Sequence, residues 1–90
     1  MLFMVIEHFR PGRVPEVYRR FRDRGRMAPE GVRYVSSWVD LDLQRCFQVM
    51  EADNEVSLRK WTANWDDLVE FEIIPVRTSA EAAAAIAPEP

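Results

Sequence analysis

The sequence predicts an α+β fold, the ferredoxin-like β-α-β-β-α-β arrangement, with a four-stranded antiparallel sheet in the order 4-1-3-2. Four segments are rich in β-branched and aromatic residues, and two other segments repeat apolar residues at helical spacing. Pro75 lies in the last strand-like segment, and a proline there favours an edge strand. Right-handed crossovers then place both helices on one face of the sheet and leave the other face bare.

The first strand, "MLFMVIEHF", is apolar from Met1 to Ile6 and ends with Glu7 and the chain's single histidine, His8. Neighbours in a strand point to opposite faces, so these two side chains cannot form one acid–base pair within a subunit. One of them faces the helices, but the apolar run does not indicate which. His8 would serve as a proton shuttle on the pocket side. Alternatively, it marks the solvent end of the strand.

The first helix is predicted between Pro15, which suits a first helical turn, and Gly25, which suits a helix end. Its apolar stripe consists of Val14, Val17, Tyr18 and Phe21. The segment "RRFRDRGR" at residues 19–26 resembles a phosphate-binding surface. Because aromatic stacking residues are missing from that basic face, we interpret it as a solvated face and expect no nucleic-acid binding.

The second half of the domain begins with a hairpin of two strands, Val32 to Val39 and Arg45 to Glu51, joined by a turn at Asp40–Asp42. Asp53 or Asn54 can cap the second helix. The stripe of that helix consists of Leu58, Trp61, Trp65 and Leu68, which is typical of a packing surface. Phe71 to Val76 form the last strand.

Length and patterning together predict a homodimer. The domain occupies residues 1–78, and residues 79–90 form an Ala/Pro-rich C-terminal tail. A chain of 90 residues buries only roughly 60–65% of the surface that it exposes when unfolded. Since the first strand is apolar on both faces, the bare sheet face needs a cover, and a second copy of the chain is the simplest one. If Val5 lies on that face, Val5→Asp should dissociate or unfold the protein.

Composition excludes several classes of protein. The chain is 48% hydrophobic and 30% charged, with a net charge of −3, which is typical of a globular protein and argues against a general nucleic-acid binder. The apolar N-terminal run is too short to span a bilayer, so we expect a soluble cytoplasmic protein without a membrane contact. Cys46 is the single cysteine and predicts neither a disulfide nor a structural metal site. No glycine-rich phosphate loop or nucleophile motif occurs.

Four stretches carry a resemblance to a known family: "MLFMVIEHF", "PEGVRYVSSW", "CFQVMEAD" and "WDDLVEFEIIPV". Over residues 1 to about 78 the chain resembles the dimeric α/β-barrel superfamily, and within it a group of short bacterial proteins. The resemblance implies two sheets packed face to face across a two-fold axis, with a pocket in each subunit. Members include small monooxygenases that use neither metal nor flavin, isomerases and haem-handling proteins, so the resemblance predicts assembly better than chemistry.

We predict a ligand-binding set in which polar or aromatic side chains interrupt apolar strands: His8, Trp38, Gln48 and Glu51. Two classes of function remain open. The first is a small enzyme or binder that acts on a hydrophobic or aromatic molecule without a cofactor. The second is a non-catalytic interaction or assembly module. An enclosed cavity beside these polar side chains would favour the first class, and a filled interior would favour the second.

Overall fold

The computed structural model describes residues 1–86 and shows the predicted β-α-β-β-α-β order, followed by a short C-terminal helix. The four strands form one antiparallel sheet in the order β2-β3-β1-β4, which confirms the predicted order. The elements are β1 (Leu2–Phe9), α1 (Val14–Arg24), β2 (Val32–Val39), β3 (Arg45–Ala52), α2 (Glu55–Thr62), β4 (Val69–Val76) and α3 (Ser79–Ala85). Pro75 lies in an edge strand, as its missing N–H requires.

Alternation along β1 separates the two faces of the sheet. Phe3, Val5 and Glu7 are buried on the face that the helices cover, whereas the even-numbered residues of β1 lie on the bare face. The condition that Val5 lies on the bare face is not met, because Val5 is 0% exposed in the core. Ile6 pairs with Phe47 of β3 and is the appropriate residue with which to probe the bare face.

The core lies between the covered face and α2, and it is tightly closed. Met50, Leu58 and Trp61 are at most 1% exposed. Asn54 caps α2 by accepting a hydrogen bond from the Ser57 backbone N–H. The two tryptophans of the predicted stripe are buried, in agreement with the packing interpretation.

Helix α2 is shorter than its apolar stripe predicts. It ends at Thr62, and tight turns follow, in which the backbone N–H groups of Asn64 and Trp65 bond to carbonyls three residues back. Trp65 and Leu68 are nevertheless 4% and 2% exposed, because the turns keep both side chains directed at the core.

Helix α1 packs more loosely than predicted. Val17 is its one buried residue, and Tyr18 and Phe21 are 45% and 42% exposed. The expectation that both aromatic residues belong to the core is therefore wrong. They border a cavity between α1 and the sheet.

The tail begins with α3, and residues 87–90 of the predicted tail lie outside the described residues. Thr78 and Glu81 form a capping box at the start of α3, and the helix contributes no buried residue. None of the helices within residues 1–86 is long and apolar enough to cross a membrane.

Candidate functional site

A cavity of about 140 Å³ lies between α1, the end of α2 and the covered face of the sheet. An apolar cavity of about 150 Å³ holds one benzene molecule, so this space accommodates a single aromatic ring. Aromatic side chains form much of its wall: Phe9, Tyr18, Phe21, Trp61 and Trp65. The polar side chains that line it are those of Glu7, Arg26, Ser37, Cys46 and Gln48.

Glu7 is the buried carboxyl of this cavity. Its side chain is 9% exposed, lies directly opposite Cys46 in the sheet, and accepts a long hydrogen bond of 3.4 Å from Gln48 Nε2. Burial raises the pKa of Glu7, and the hydrogen bond from the Cys46 thiol and the charge of Arg26 oppose that rise. The carboxyl therefore holds a proton more readily than an exposed glutamate does.

Cys46 is the thiol neighbour of Glu7. Burial raises the pKa of Cys46, and the adjacent Glu7 carboxyl raises it further. Since the thiolate is the nucleophilic form of cysteine, the raised pKa disfavours that form and keeps the Cys46 thiol protonated as a hydrogen-bond donor to Glu7.

Arg26 supplies the positive charge at the cavity. Its Nε–H donates a 2.8 Å hydrogen bond to Gln48 Oε1. The guanidinium carbon lies 3.7 Å from the centre of the Tyr34 ring and 5.1 Å from that of Phe21. Arg26, Gln48, Glu7 and Cys46 thus form one continuous hydrogen-bonded chain across the cavity wall.

The backbone around Arg26 is strained and firmly held. Gly25 has φ 67° and Met27 has φ 59°, so residues on both sides of Arg26 adopt positive φ. The indole N–H groups of Trp61 and Trp65 both donate to the Arg26 carbonyl, at 2.9 Å and 3.0 Å. A non-glycine residue with positive φ costs on the order of 1–3 kcal/mol and is typical of ligand clamps and active sites.

The structure separates the four residues of the predicted ligand-binding set. Gln48 lines the cavity and is 3% exposed. His8, Trp38 and Glu51 lie on the bare face: His8 Nε2 is 2.8 Å from Glu72 Oε1, and Trp38 pairs with a bare-face residue of β3 and is 58% exposed. Any ligand that these three residues contact lies on the opposite side of the sheet from the cavity.

The cavity thus contains Glu7, not His8, of the adjacent pair at the end of β1. Sequence reasoning did not include Arg26, because that residue is the last member of a basic run that was interpreted as a solvated face. One signal was available: Arg26 follows Gly25, which ends α1, so the helical spacing of the basic face does not extend to Arg26.

Comparisons with known proteins give one match. No curated protein and no solved structure matches the chain. A family model matches residues 1–89, which covers the whole domain and nearly all of the tail. The chain belongs to the family described as "Domain of unknown function (DUF3303)".

Proposed function

We propose that this protein is a homodimer in which each subunit binds one small, mainly apolar organic molecule, about the size of an aromatic ring, in the cavity beside Glu7. The observation that carries the proposal is the buried Glu7 carboxyl within a cavity lined by aromatic rings. Ligand sites typically combine an apolar wall with a few fixed polar groups, and this cavity has that composition.

Glu7 is the side chain of the cavity that can exchange a proton with a ligand. A carboxyl with a raised pKa donates a hydrogen bond when protonated and accepts a proton when ionised. It therefore suits a ligand with a carbonyl or hydroxyl oxygen, and it suits proton transfer within such a ligand. Proton transfer at Glu7 requires neither a metal nor a flavin, because a carboxyl exchanges protons without them.

The proposed dimer forms through the bare face, in the manner of the dimeric α/β barrels. The centre of that face is apolar and includes Met4, Ile6, Phe47, Val49 and Ile74. Its charged residues carry both signs: Arg33 and Arg45 are positive, and Glu51, Glu70 and Glu72 are negative. Because a two-fold axis sets a surface against itself, a face with both signs of charge suits a second copy of the chain.

The test of ligand binding uses benzyl alcohol as a neutral single-ring probe and follows backbone amide shifts by NMR. The shifts should concentrate at cavity residues such as Glu7 and Gln48. Ser37→Phe fills the cavity from β2 and should abolish the shifts, whereas Ser36→Phe adds the same ring on the bare face and should preserve them. The absence of cavity shifts at millimolar probe would refute the binding proposal.

An interaction or assembly module is the second candidate, and α3 favours it. The helix has seven residues, none of them buried, and Ile86 beyond it is 82% exposed. A helix this short is marginal without a packing partner. If the chain is an assembly module, truncation after Thr78 should shift the dimer dissociation constant in sedimentation experiments, while every single-ring probe fails to bind.

A further inference from the structure

We infer that the ligand carries an anionic oxygen group, most simply the carboxylate of a single-ring aromatic acid, and that Arg26 recognises it. This inference rests on the proposed function, because it specifies the ligand of the same cavity. The charge of the ligand is the new element, since the proposed function specifies only the size and the apolar character of the ligand.

Within residues 1–86, Arg26 differs from the other partly buried arginines. Arg10 is paired with Glu70, and Arg20 makes two hydrogen bonds to the carboxylate of Asp67. Arg26 forms no salt bridge in this part of the chain, and its one side-chain hydrogen bond goes from Nε to the neutral amide of Gln48. Both terminal nitrogens therefore remain available as donors, on a cation that lines the cavity.

Gln48 separates the guanidinium of Arg26 from the nearest carboxyl, that of Glu7. Its Oε1 accepts from Arg26 and its Nε2 donates to Glu7, so the amide stands between the cation and the carboxyl. A carboxylate at position 48 would neutralise the guanidinium directly, whereas glutamine holds it in place without cancelling its charge. A partly buried cation without an anionic partner is costly, and an anionic ligand would offset that cost.

The position of the guanidinium is fixed before a ligand arrives. Stacking against Tyr34 and Phe21 limits its rotation, and the two indole N–H groups hold the backbone carbonyl of the same residue. The planar fork of an arginine matches the two oxygens of a carboxylate. Prior fixation lowers the entropy lost on binding, so the geometry suits a selective contact.

The experiment compares benzoate with benzamide, which has the same shape and no charge, by isothermal titration calorimetry on the full-length chain. We expect benzoate to bind roughly 10–100-fold more tightly than benzamide, the range typical of a hydrogen bond to a charged group. Arg26→Gln should remove this preference, because it weakens benzoate binding much more than benzamide binding. Arg19→Gln removes one positive charge from an exposed position of α1 and should leave the preference intact.

A second measurement needs no variant, in case Arg26→Gln fails to fold. The side-chain Nε–H resonance of Arg26 in the wild-type protein should shift on titration with benzoate and much less with benzamide. Equal affinities for the two probes, a preference that survives in folded Arg26→Gln, or an unmoved Nε–H resonance would each overturn the inference while leaving ring binding intact. Failure of benzyl alcohol, benzamide and benzoate alike would overturn the proposed function as well.

Discussion

Replacing Glu7 with glutamine should stabilise the folded protein at neutral pH and have little effect at pH 4. Burial raises the pKa of Glu7 above 4.5 in the folded state. Below that ordinary value both states hold the proton, so the carboxyl carries no penalty. As the pH rises above 4.5, the unfolded chain releases its proton first, and stability falls until the pH passes the folded-state pKa. Glutamine cannot ionise, so this loss is absent from the variant.

The size of the gain follows from what the substitution leaves in place. Glutamine matches glutamate in volume, and its carbonyl oxygen can still accept a hydrogen bond from the Cys46 thiol. The core therefore acquires no void. The substitution weakens at most the long 3.4 Å hydrogen bond from Gln48 Nε2, so removal of the ionisation penalty is the larger change. Stabilising substitutions of this kind commonly contribute about 0.5–2 kcal/mol. For a domain of this size, each kcal/mol raises Tm by roughly 4–8 °C.

The assay is thermal unfolding followed by circular dichroism between pH 4 and pH 8, at one protein concentration for all variants. Glu30→Gln makes the same chemical change at an exposed position and should show no comparable gain. The reasoning fails if Glu7→Gln lowers Tm at pH 7, or if its effect is the same at pH 4 as at pH 7. A lower Tm at pH 7 with little change at pH 4 would mean that the fold stabilises the Glu7 anion, and an equal effect at both pH values would mean that folding does not shift the pKa of Glu7.

Three further predictions follow from burial and hydrogen bonding. Ile6→Asp should convert the proposed dimer to a folded monomer in light scattering, whereas Val5→Asp should unfold the chain, because Val5 is 0% exposed. A folded Val5→Asp or a dimeric Ile6→Asp would contradict this. Cys46 should react with a thiol reagent far more slowly in native protein than in guanidinium, because burial raises its pKa, and equal rates would refute that reasoning. Trp65→Phe removes one donor to the Arg26 carbonyl and should cost about 1 kcal/mol in denaturant unfolding, while weakening benzoate binding more than benzamide binding; equal weakening would contradict a positioning role.

The sequence predicts the fold because the decisive signals are local. Helical spacing, capping residues and the proline of β4 each act over a few residues, and together they select one order of strands. The boundaries of α2 were less predictable. Trp65 and Leu68 satisfy the helical spacing, but tight turns after Thr62 keep both side chains in the core without a continuous helix.

The cavity could be predicted only in part, because its location depends on which residues of β1 face the helices. The apolar run from Met1 to Ile6 hides the alternation that would distinguish Glu7 from His8. Which of the two side chains faces the helices depends on strand pairing with residues far away in sequence, such as that of Glu7 with Cys46. The position of Arg26 is harder to predict than that of Glu7, because it depends on two indole donors that lie 35 and 39 residues later in the sequence.

The same alternation separates ligand binding from assembly. Odd-numbered residues of β1 lie on the covered face, where Glu7 and Phe9 line the cavity, and even-numbered residues lie on the proposed dimer interface. The cavity and the proposed interface are therefore on opposite faces of the sheet. The interface then stabilises the fold without completing the site. A folded monomeric Ile6→Asp should therefore bind benzoate with nearly the wild-type affinity, as calorimetry can measure. A monomer that has lost benzoate binding, yet retains the amide spectrum of a folded domain, would show instead that bare-face residues reach the ligand or shape its cavity.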